Sequence, residues 1–382
     1  MASTLNMSNA TNTTTPKDGN LMLENIRVYF FLIYYVILLV MTVGGNTLVC
    51  LAIYLDRRLR SSTNWFVASL AVADLLYGLV GLPFRIAQTS GTVFELHQCY
   101  TWIWADMFCA AASIANLALI SVDRYLKITK PFQYHVYLTQ TRVFIAVGAL
   151  WIYSAVLASL SLIRWPGALG VLLDRNACLN INQVFYTVAN IVAFILPLAI
   201  LVINYVKVFV EALKQFNKMK ELTVIKCKEE KRKHNSIMKD FKATKTLAVV
   251  IGTFTICWCP FFFLFTILQY NPMFLISLPY PWNYIVISVF FSILPNLNSA
   301  CNPFIYAYFN KDFRRAFRKI VTRSMSEPMT TQHEHSGDSP APSGRRRSSV
   351  LNYFLLPKHP RHSRHSSQGN SLFPQNNNSS DV

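Results

Sequence analysis

The sequence predicts an all-α membrane protein: a seven-transmembrane helix bundle with a short amphipathic interfacial eighth helix and disordered termini. Of its 382 residues, 53% are hydrophobic and only 14% are charged, whereas soluble domains carry roughly a quarter charged residues. Seven apolar segments each reach the ~20 residues that cross a bilayer as a helix. These segments, spans 1 to 7, lie near residues 29–54, 64–84, 102–122, 143–163, 184–210, 246–269 and 284–308.

The basic residues orient the chain in the membrane. Cytoplasmic loops of membrane proteins are enriched in Lys and Arg, and we place only five of the 36 basic residues on the outer side. These five are Lys17, Arg27, Arg85, Arg164 and Arg175. The first 20 residues lack the apolar segment of a cleavable signal, so span 1 directs insertion. We therefore predict a multi-pass plasma-membrane protein with an extracellular N-terminus, and no binding of nucleic acid, because the basic residues flank spans.

Four regions follow one another along the chain. They are an extracellular arm (1–26), the transmembrane domain (27–309), the interfacial helix (310–321) and a disordered cytoplasmic tail (322–382). The arm carries glycan-acceptor sequons at Asn6, Asn9 and Asn12. The longer connections between spans lie near 164–183 on the outside and 214–239 on the inside. The tail contains too few apolar residues to build a core.

A segment with one apolar and one basic face follows span 7. Its basic residues lie between apolar residues that recur at helical spacing, which is typical of a helix that rests on membrane lipids of the inner leaflet. The apolar residues are Phe309, Phe313, Ala316, Phe317 and Ile320.

Two short motifs in the tail indicate regulation. Arg345–Ser349 (RRRSS) resembles a site for a basophilic kinase, and a phosphate there would offset positive charge. Ser380–Val382 has the form of a C-terminal ligand for a PDZ domain.

Span 3 carries an ionisable residue near each end. Asp106 and Arg124 are 18 residues apart, which is five helical turns, so they share one face about 27 Å apart. Charge inside a span is costly and usually faces a polar cavity or a partner. Asp106 is therefore predicted to anchor a ligand, and the alternative is a buried Asp that is paired only for packing.

Span 6 repeats this spacing with Asp240 and Trp258. Asp240 at the inner end can face Arg124, and an Arg–Asp pair between two helix ends would hold them together in a resting state. The alternative is that Asp240 is a solvated residue of a basic loop.

An aromatic stripe continues above Trp258. Phe261, Phe262 and Phe265 share its helix face. Such a stripe is often packing, but beside a carboxylate it suits a protonated amine, through a salt bridge and cation–π attraction. Met107 and Ala110, next to Asp106 on span 3, are assigned to the same ligand site.

The motifs together resemble class A (rhodopsin-like) G-protein-coupled receptors over about residues 27–321. The biogenic-amine receptors of the adrenergic, dopamine, octopamine and trace-amine kinds are the most similar. The motifs are Gly45-Asn46, Leu70-Ala71-Val72-Ala73-Asp74, Asp123-Arg124-Tyr125, Trp151, Cys257-Trp258-Cys259-Pro260 and Asn302-Pro303-Phe304-Ile305-Tyr306.

The resemblance implies roles for particular residues and partners. It implies a small-molecule ligand, a heterotrimeric G protein, arrestin and a receptor kinase as partners, and no cofactor except an allosteric sodium ion. Asp106 would bind the ligand ammonium, and Trp258 would form the floor of the pocket and change its rotamer. The connector between the ligand pocket and the G-protein site would be Pro197, Ile114 and Phe254. The sodium ion would be held by Asp74, Ser113, Asn298 and Asn302. Arg124, Tyr205 and Tyr306 would rearrange to admit the G protein.

Two of the eight cysteines are expected to pair. Cys99 lies two turns outside Asp106 and Cys178 lies in the long outer connection, both on the oxidising side. The other cysteines are predicted to be free, and Cys257-x-Cys259 is not a zinc pattern.

Some positions depart from ordinary amine receptors. Ala189, Asn190 and Ala193 stand where catechol-binding relatives have hydroxyl side chains, and Ile293 and Asn296 stand where amine receptors offer Trp and Tyr. Asn296 can still donate to Asp106, but the aromatic cage is incomplete. A peptide or lipid ligand, or an orphan receptor with constitutive activity, therefore remains an alternative.

Other classes of protein fit less well. A transporter or channel is the remote alternative, because we see no internal repeat. An opsin is excluded, since no lysine lies between Trp282 and Asn310 for retinal to modify. We see no nucleophile–base pattern in the sequence that would indicate an enzyme.

Overall fold

The computed structural model describes residues 17–174, 177–222, 228–271 and 273–326. Within these ranges, seven helical segments are long and apolar enough to cross a membrane, which confirms the predicted fold class. In the structure, spans 1 to 7 are Met22–Leu55, Ser62–Thr89, Leu96–Thr129, Gln140–Ser161, Gln183–Glu211, Ala248–Tyr270 and Trp282–Phe309. The predicted glycosylation sites, both tail motifs and Cys227 lie outside the described residues.

The helices and strands are numbered here in chain order. The α-helices are α1 (Lys17–Leu55), α2 (Ser62–Leu76), α3 (Leu82–Thr89), α4 (Leu96–Thr129), α5 (Tyr134–Tyr137), α6 (Gln140–Ser161), α7 (Gln183–Ala189), α8 (Leu196–Leu222), α9 (Lys228–Tyr270), α10 (Phe274–Ser277), α11 (Trp282–Ile285), α12 (Leu294–Phe309) and α13 (Lys311–Ser326). A 3₁₀ turn lies at Arg57–Leu59, and the strands are β1 (Gly170–Asp174) and β2 (Ala177–Ile181).

Four spans begin at a residue that caps the helix. The side chains of Ser61, Thr139 and Asn182 accept hydrogen bonds from backbone N–H groups of the first turns of spans 2, 4 and 5. Glu95 and Gln98 cap span 3 reciprocally. These caps satisfy donors that a helix leaves free at its N-terminus, and so fix where each span starts.

Three spans contain a wide π-helical turn just before a proline. The turns are Tyr77–Gly81, Asn190–Ile195 and Val286–Ile293, and the prolines are Pro83, Pro197 and Pro295. Proline has no N–H to donate to the carbonyl four residues earlier, and in each case that carbonyl belongs to the wide turn. The backbone therefore widens where an α-helical hydrogen bond is missing.

Span 3 lies at the centre of the bundle, packed against spans 2, 4, 5 and 6. A buried core fills the part of the bundle next to α13, with Leu70, Leu117, Ile120 and Phe254 among its members. Large apolar side chains such as Phe263, which is 69% exposed, remain on the outside of the spans. A helix bundle in lipid needs such an apolar outer surface.

Spans 1 and 7 meet at Pro303. Because Pro303 cannot donate, the carbonyl of Ser299 loses its helical partner, and the Asn46 side chain donates to it at 3.0 Å. A β-carbon on Gly45 would lie 2.7 Å from Cγ of Pro303. The Gly45-Asn46 motif thus provides both the close approach and the replacement hydrogen bond.

The two long connections differ from prediction. The outer connection contains the antiparallel hairpin β1–β2, which the sequence reading did not include. The predicted limits of the inner loop, near 214–239, are wrong: α8 continues to Leu222 and α9 already begins at Lys228. Its many Lys and Glu residues favour helix, so both helices extend past the apolar segments.

The interfacial helix predicted after span 7 is α13. It is amphipathic as predicted, but it extends to Ser326, beyond the expected end at 321. Phe313, Ala316 and Phe317 are buried, and the Phe313 ring stacks on Tyr306 with 5.4 Å between centroids. Its apolar face therefore packs on the bundle, and contact with the inner leaflet stays a prediction.

Candidate functional site

A cavity of about 380 Å³ lies among spans 2, 3, 5, 6 and 7 against β2. Its size suits a small ligand. All but one of the residues predicted to bind a ligand line it: Asp106, Met107, Ala110, Ala189, Asn190, Ala193, Trp258, Phe261, Phe262 and Phe265. The exception is Asn296.

One face of span 3 forms a wall of the cavity. Its lining residues recur at the three- and four-residue spacing of a helix face. They are Trp102, Ile103, Asp106, Met107, Ala110, Ala111 and Ile114. Asp106 is the carboxylate of this wall, and the small alanines below it leave the space that a ligand needs.

Arg85 shares the cavity with Asp106. It lies on α3 within span 2, lines the cavity and is only partly exposed. Its charge attracts that of Asp106. The sequence missed this role because Arg85 stands one residue past the predicted end of span 2 at 84, and the helix continues for another turn to Thr89.

Aromatic rings form the opposite wall. Trp258 packs edge-on against Phe261 at 5.6 Å between centroids, and Phe261 stacks on Phe265 at 5.5 Å. Tyr186 of span 5 packs edge-on against Phe265 at 4.9 Å. The predicted stripe is thus a continuous aromatic surface facing the cavity, with ring faces available to a cation.

Asn190 presents an amide oxygen at the span 5 side. Its Nδ2 donates to the hydroxyl of Thr266 at 2.6 Å, and its Oδ1 is buried without a hydrogen-bond partner in the described chain. Thr266 fixes the amide, so the oxygen can accept a hydrogen bond from a ligand donor. No spacing in the sequence indicated Thr266.

Span 7 contributes Phe291 rather than Asn296. Asn296 is buried; it accepts a hydrogen bond from Tyr77 and donates one to the carbonyl of Ser292. Among the described residues, Asn296 therefore makes no hydrogen bond to Asp106. Phe291 lines the cavity and packs edge-on against Phe261 at 5.4 Å. The wide turn Val286–Ile293 thus adds the Phe291 ring to the cavity, and the expected incomplete cage around Asp106 stays a prediction.

The hairpin lies over the cavity. Cys178, Leu179, Asn180 and Ile181 of β2 line it. The predicted disulfide is confirmed, since Cys99 and Cys178 are bonded with 5.4 Å between their Cα atoms. This bond ties β2 to the outer end of span 3.

The predicted connector lies directly beneath the cavity. Ile114 and Phe254 are buried in the main core, and Phe254 packs against Trp258 at 6.3 Å between centroids. Phe194, which the sequence reading missed, stacks on Phe262 at 4.0 Å and contacts Phe254 at 6.5 Å. Pro197 follows the wide turn Asn190–Ile195, which places Phe194 in this contact.

A buried polar cluster lies around Asp74. Ser113 donates to one carboxylate oxygen at 3.4 Å and Asn302 donates to the other at 2.8 Å. Asn298 is buried as well. The Oδ1 atom of Asn302 has no hydrogen-bond partner within the described residues, so the cluster retains an oxygen that can accept.

At the inner end, Asp123 and Arg124 form a buried ion pair with 2.9 Å between Oδ2 and Nη2. Thr63 donates to Asp123 at 2.5 Å and accepts from Arg124. Tyr134 donates to Asp123 at 2.7 Å. Burial and the Asp123 charge raise the pKa of Tyr134 to about 12, so its hydroxyl keeps its proton and remains a donor at physiological pH.

The remaining predicted activation residues surround this pair. A second cavity of about 170 Å³ is lined by Arg124 and Tyr306. The hydroxyls of Tyr205 and Tyr306 are buried and make no hydrogen bond to the described residues. Lys207 lies over the ring of Tyr125 at 5.7 Å. The side chain of Asp240 is outside the described part, so its pairing with Arg124 stays a prediction.

Sequence comparisons agree with this geometry. Residues 45–306 match the family described as 7 transmembrane receptor (rhodopsin family). The histamine H2 receptor of Cavia porcellus is 36% identical over 295 residues, 75% of this chain and 77% of the relative. The human histamine H2 receptor is 35% identical over 295 residues, 74% and 77% respectively. The D(1A) dopamine receptor of Xenopus laevis is 33% identical over 321 residues, 75% and 70% respectively. The chain belongs to the rhodopsin family of seven-transmembrane receptors.

Proposed function

We propose that this protein is a cell-surface receptor that binds a protonated amine through Asp106 and signals through a heterotrimeric G protein. The observation that carries the proposal is one cavity, of a size for a small ligand, that has Asp106 on one wall and an aromatic surface on the other. Membership of a receptor family favours this function over the transporter or channel alternative. The N-terminus is extracellular in this proposal, so the cavity faces outwards.

The chemistry of the walls supports an amine. A carboxylate in a mostly apolar cavity favours a cationic partner, because an unpaired buried charge is costly, and ring faces add cation–π attraction. Histamine and dopamine, after which the relatives are named, are both amines with an aromatic ring. The buried Oδ1 of Asn190 would accept a hydrogen bond from the ring end of such a ligand.

The path to the G protein begins at the cavity floor. A ligand that displaces Trp258 would press on Phe254, which packs against Trp258, and through Phe254 on Phe194. Rearrangement there would separate the inner ends of spans 3 and 6 and release Arg124. The ligand shifts the receptor population from one packing of the helices to another, to the extent that it binds the second packing more tightly than the first.

The test of the amine site is Asp106→Asn in the full chain, expressed in cells that report nucleotide exchange on a panel of G proteins. Loss of a charged hydrogen bond costs about 1.5–3 kcal/mol, so amine potency should fall at least about 10-fold. Glu95→Gln, at an exposed outer carboxylate, is the matched control. Unchanged potency in Asp106→Asn with normal surface expression, or responses only to peptides or lipids, would overturn the proposal.

We propose that Asp240 pairs with Arg124 in the resting state. Arg124 is already held by Asp123 and Thr63, and a carboxylate on α9, the helix that contains span 6, would join that group to a moving helix. Asp240→Ala should raise basal signalling. A basal signal equal to that of the unmodified receptor would contradict the pairing.

We also propose that a sodium ion binds beside Asp74. The support is the unpaired Oδ1 of Asn302 next to a carboxylate and the Ser113 hydroxyl, an oxygen set that suits a hard cation. The ion would supply one positive charge to a buried carboxylate.

For the tail, we infer phosphorylation of the Arg345–Ser349 segment by a basophilic kinase, and binding of a PDZ domain to Ser380–Val382. The support is the sequence alone. Ser348→Ala with Ser349→Ala should remove the phosphate that a basophilic kinase adds to the tail, and deletion of Val382 should abolish PDZ binding. Unchanged phosphorylation or unchanged PDZ binding contradicts the corresponding inference.

A further inference from the structure

Arg85 is held in place on the same wall of the cavity as Asp106. Its guanidinium lies over the ring of Trp102, 4.8 Å from the centroid. Trp102 is four residues before Asp106 on span 3, so the two share a helix face about 6 Å apart along the axis. The cation is therefore positioned one turn outside the carboxylate.

The charges of this cavity balance. Arg85 and Asp106 are the charged residues among the described residues that line it. They attract each other, but neither forms an ion pair of 4.0 Å or less within the described chain. The two opposite charges therefore line one cavity without a direct ion pair, and each can pair with a charged group of a ligand.

Hydrogen-bond donors without partners accompany Arg85. Its Nε and the Nε1 of Trp102 are both buried with no acceptor among the described residues. A buried donor left without an acceptor is costly. A ligand carboxylate beside Arg85 would supply an acceptor, and a guanidinium recognises a carboxylate particularly well.

The balance of charge distinguishes between two kinds of ligand. A simple amine brings one positive charge, pairs with Asp106 and leaves Arg85 without a counter-charge in a mostly apolar cavity, where an unpaired charge is costly. A ligand that carries both an ammonium and a carboxylate pairs with both side chains and keeps the cavity neutral. The second kind of ligand therefore fits better.

We propose that the ligand is an aromatic amino acid, or an amine that likewise carries both a carboxylate and an aromatic ring. Its ammonium pairs with Asp106, its carboxylate pairs with Arg85 beside Trp102, and its ring packs on the Trp258 surface. This inference rests on the proposed function and narrows the ligand from amines in general to zwitterions.

Matched pairs of compounds test the inference. Tyrosine and tyramine, histidine and histamine, and tryptophan and tryptamine differ only in the carboxylate. Each pair is applied to cells that express the full receptor, with G-protein activation as the readout. At least one amino acid should be more potent than its amine at the unmodified receptor.

Arg85→Met should lower the potency of that amino acid by about 10- to 100-fold and leave the amine unchanged or more potent. Arg85→Lys, which keeps the charge but not the planar fork, should retain part of the preference. Arg27→Met is the matched control, because Arg27 also lies over an aromatic ring, that of Tyr284 at 5.4 Å, and is not among the described residues that line the cavity. Surface expression is measured for every variant.

The outcomes separate the two proposals. If amines activate the unmodified receptor through Asp106 while every amino acid is silent, or if Arg85→Met leaves the potency ratio unchanged, the zwitterion inference is wrong and the amine site stands. If Asp106→Asn changes no response to either kind of compound, both are wrong. Both proposals are supported if Arg85→Met makes the amine more potent than the amino acid and Asp106→Asn abolishes the responses to both compounds.

Discussion

The side-chain amide of Asn46 donates a hydrogen bond of 3.0 Å to the carbonyl oxygen of Ser299. Asn46 also donates to its own helix at the carbonyl of Thr42, and it is fully buried. The hydrogen bond therefore joins spans 1 and 7 at the carbonyl that Pro303 leaves free.

Asn46→Leu should destabilise the receptor by about 1–3 kcal/mol, because a buried carbonyl loses its partner. Thermal unfolding of the purified receptor in detergent measures the effect. Asn64→Leu is the control, since Asn64 bonds to the nearby carbonyl of Leu59. Equal melting temperatures for the two variants would contradict the role of Asn46.

Gly45→Ala should also destabilise the protein, because the new methyl group would lie 2.7 and 2.9 Å from two carbons of Pro303. Overpacking of this kind costs about 1–3 kcal/mol. Gly44→Ala has nothing within 4 Å of its new methyl group, so it should be neutral or stabilise the helix by up to about 1 kcal/mol. If both variants shift the melting temperature in the same direction, the close approach is not what selects glycine.

Cys99→Ser with Cys178→Ser should weaken ligand responses and lower surface expression, because the disulfide holds the hairpin over the cavity. Loss of a native disulfide typically costs about 2–5 kcal/mol in small secreted domains. Cys301→Ser, at a free cysteine, is the control. Ligand potency equal to that of the control, at equal surface expression, would contradict the role of the hairpin.

Tyr134→Phe should raise basal signalling, because Asp123 loses a donor worth about 0.5–1.5 kcal/mol. The pKa of Tyr134 is raised from 10.0 to about 12, so the stabilisation is complete below pH 10.0 and is lost as the pH rises through about 12. The difference between variant and unmodified receptor should thus be constant from about pH 6 to pH 9. A difference that varies across this range would mean that another group titrates.

Asp74→Asn should abolish any effect of sodium on agonist binding, because the amide keeps the hydrogen-bonding shape but removes the negative charge. Agonist affinity is measured in membranes with sodium chloride or with a chloride of an organic cation at equal ionic strength. Asp56→Asn, at a carboxylate that caps a 3₁₀ turn outside the spans, is the control. A sodium effect that persists in Asp74→Asn would place the ion elsewhere.

The sequence was sufficient for the bundle, which follows from its apolar segments, and for most of the ligand site, which follows from helical spacing together with the resemblance to amine receptors. Asp106, Ala110 and Trp258 line the cavity as counting in turns predicts. Arg85 and Phe291 were missed for physical reasons: Arg85 lies where a span continues beyond its apolar residues, and Phe291 lies in a wide turn where counting by 3.6 fails. Thr63 and Thr266 are partners brought close only by packing between spans.

The wide turns before Pro83, Pro197 and Pro295 also bear on how such a receptor can change during evolution. Each turn lies between the outer and inner parts of its span, so the insertion or deletion of one residue there would rotate the outer part by about 100°. The inner part would keep its packing around Arg124. Residues that face the cavity can therefore be exchanged in groups by a change of one residue in length, while the surface presented to the G protein stays the same.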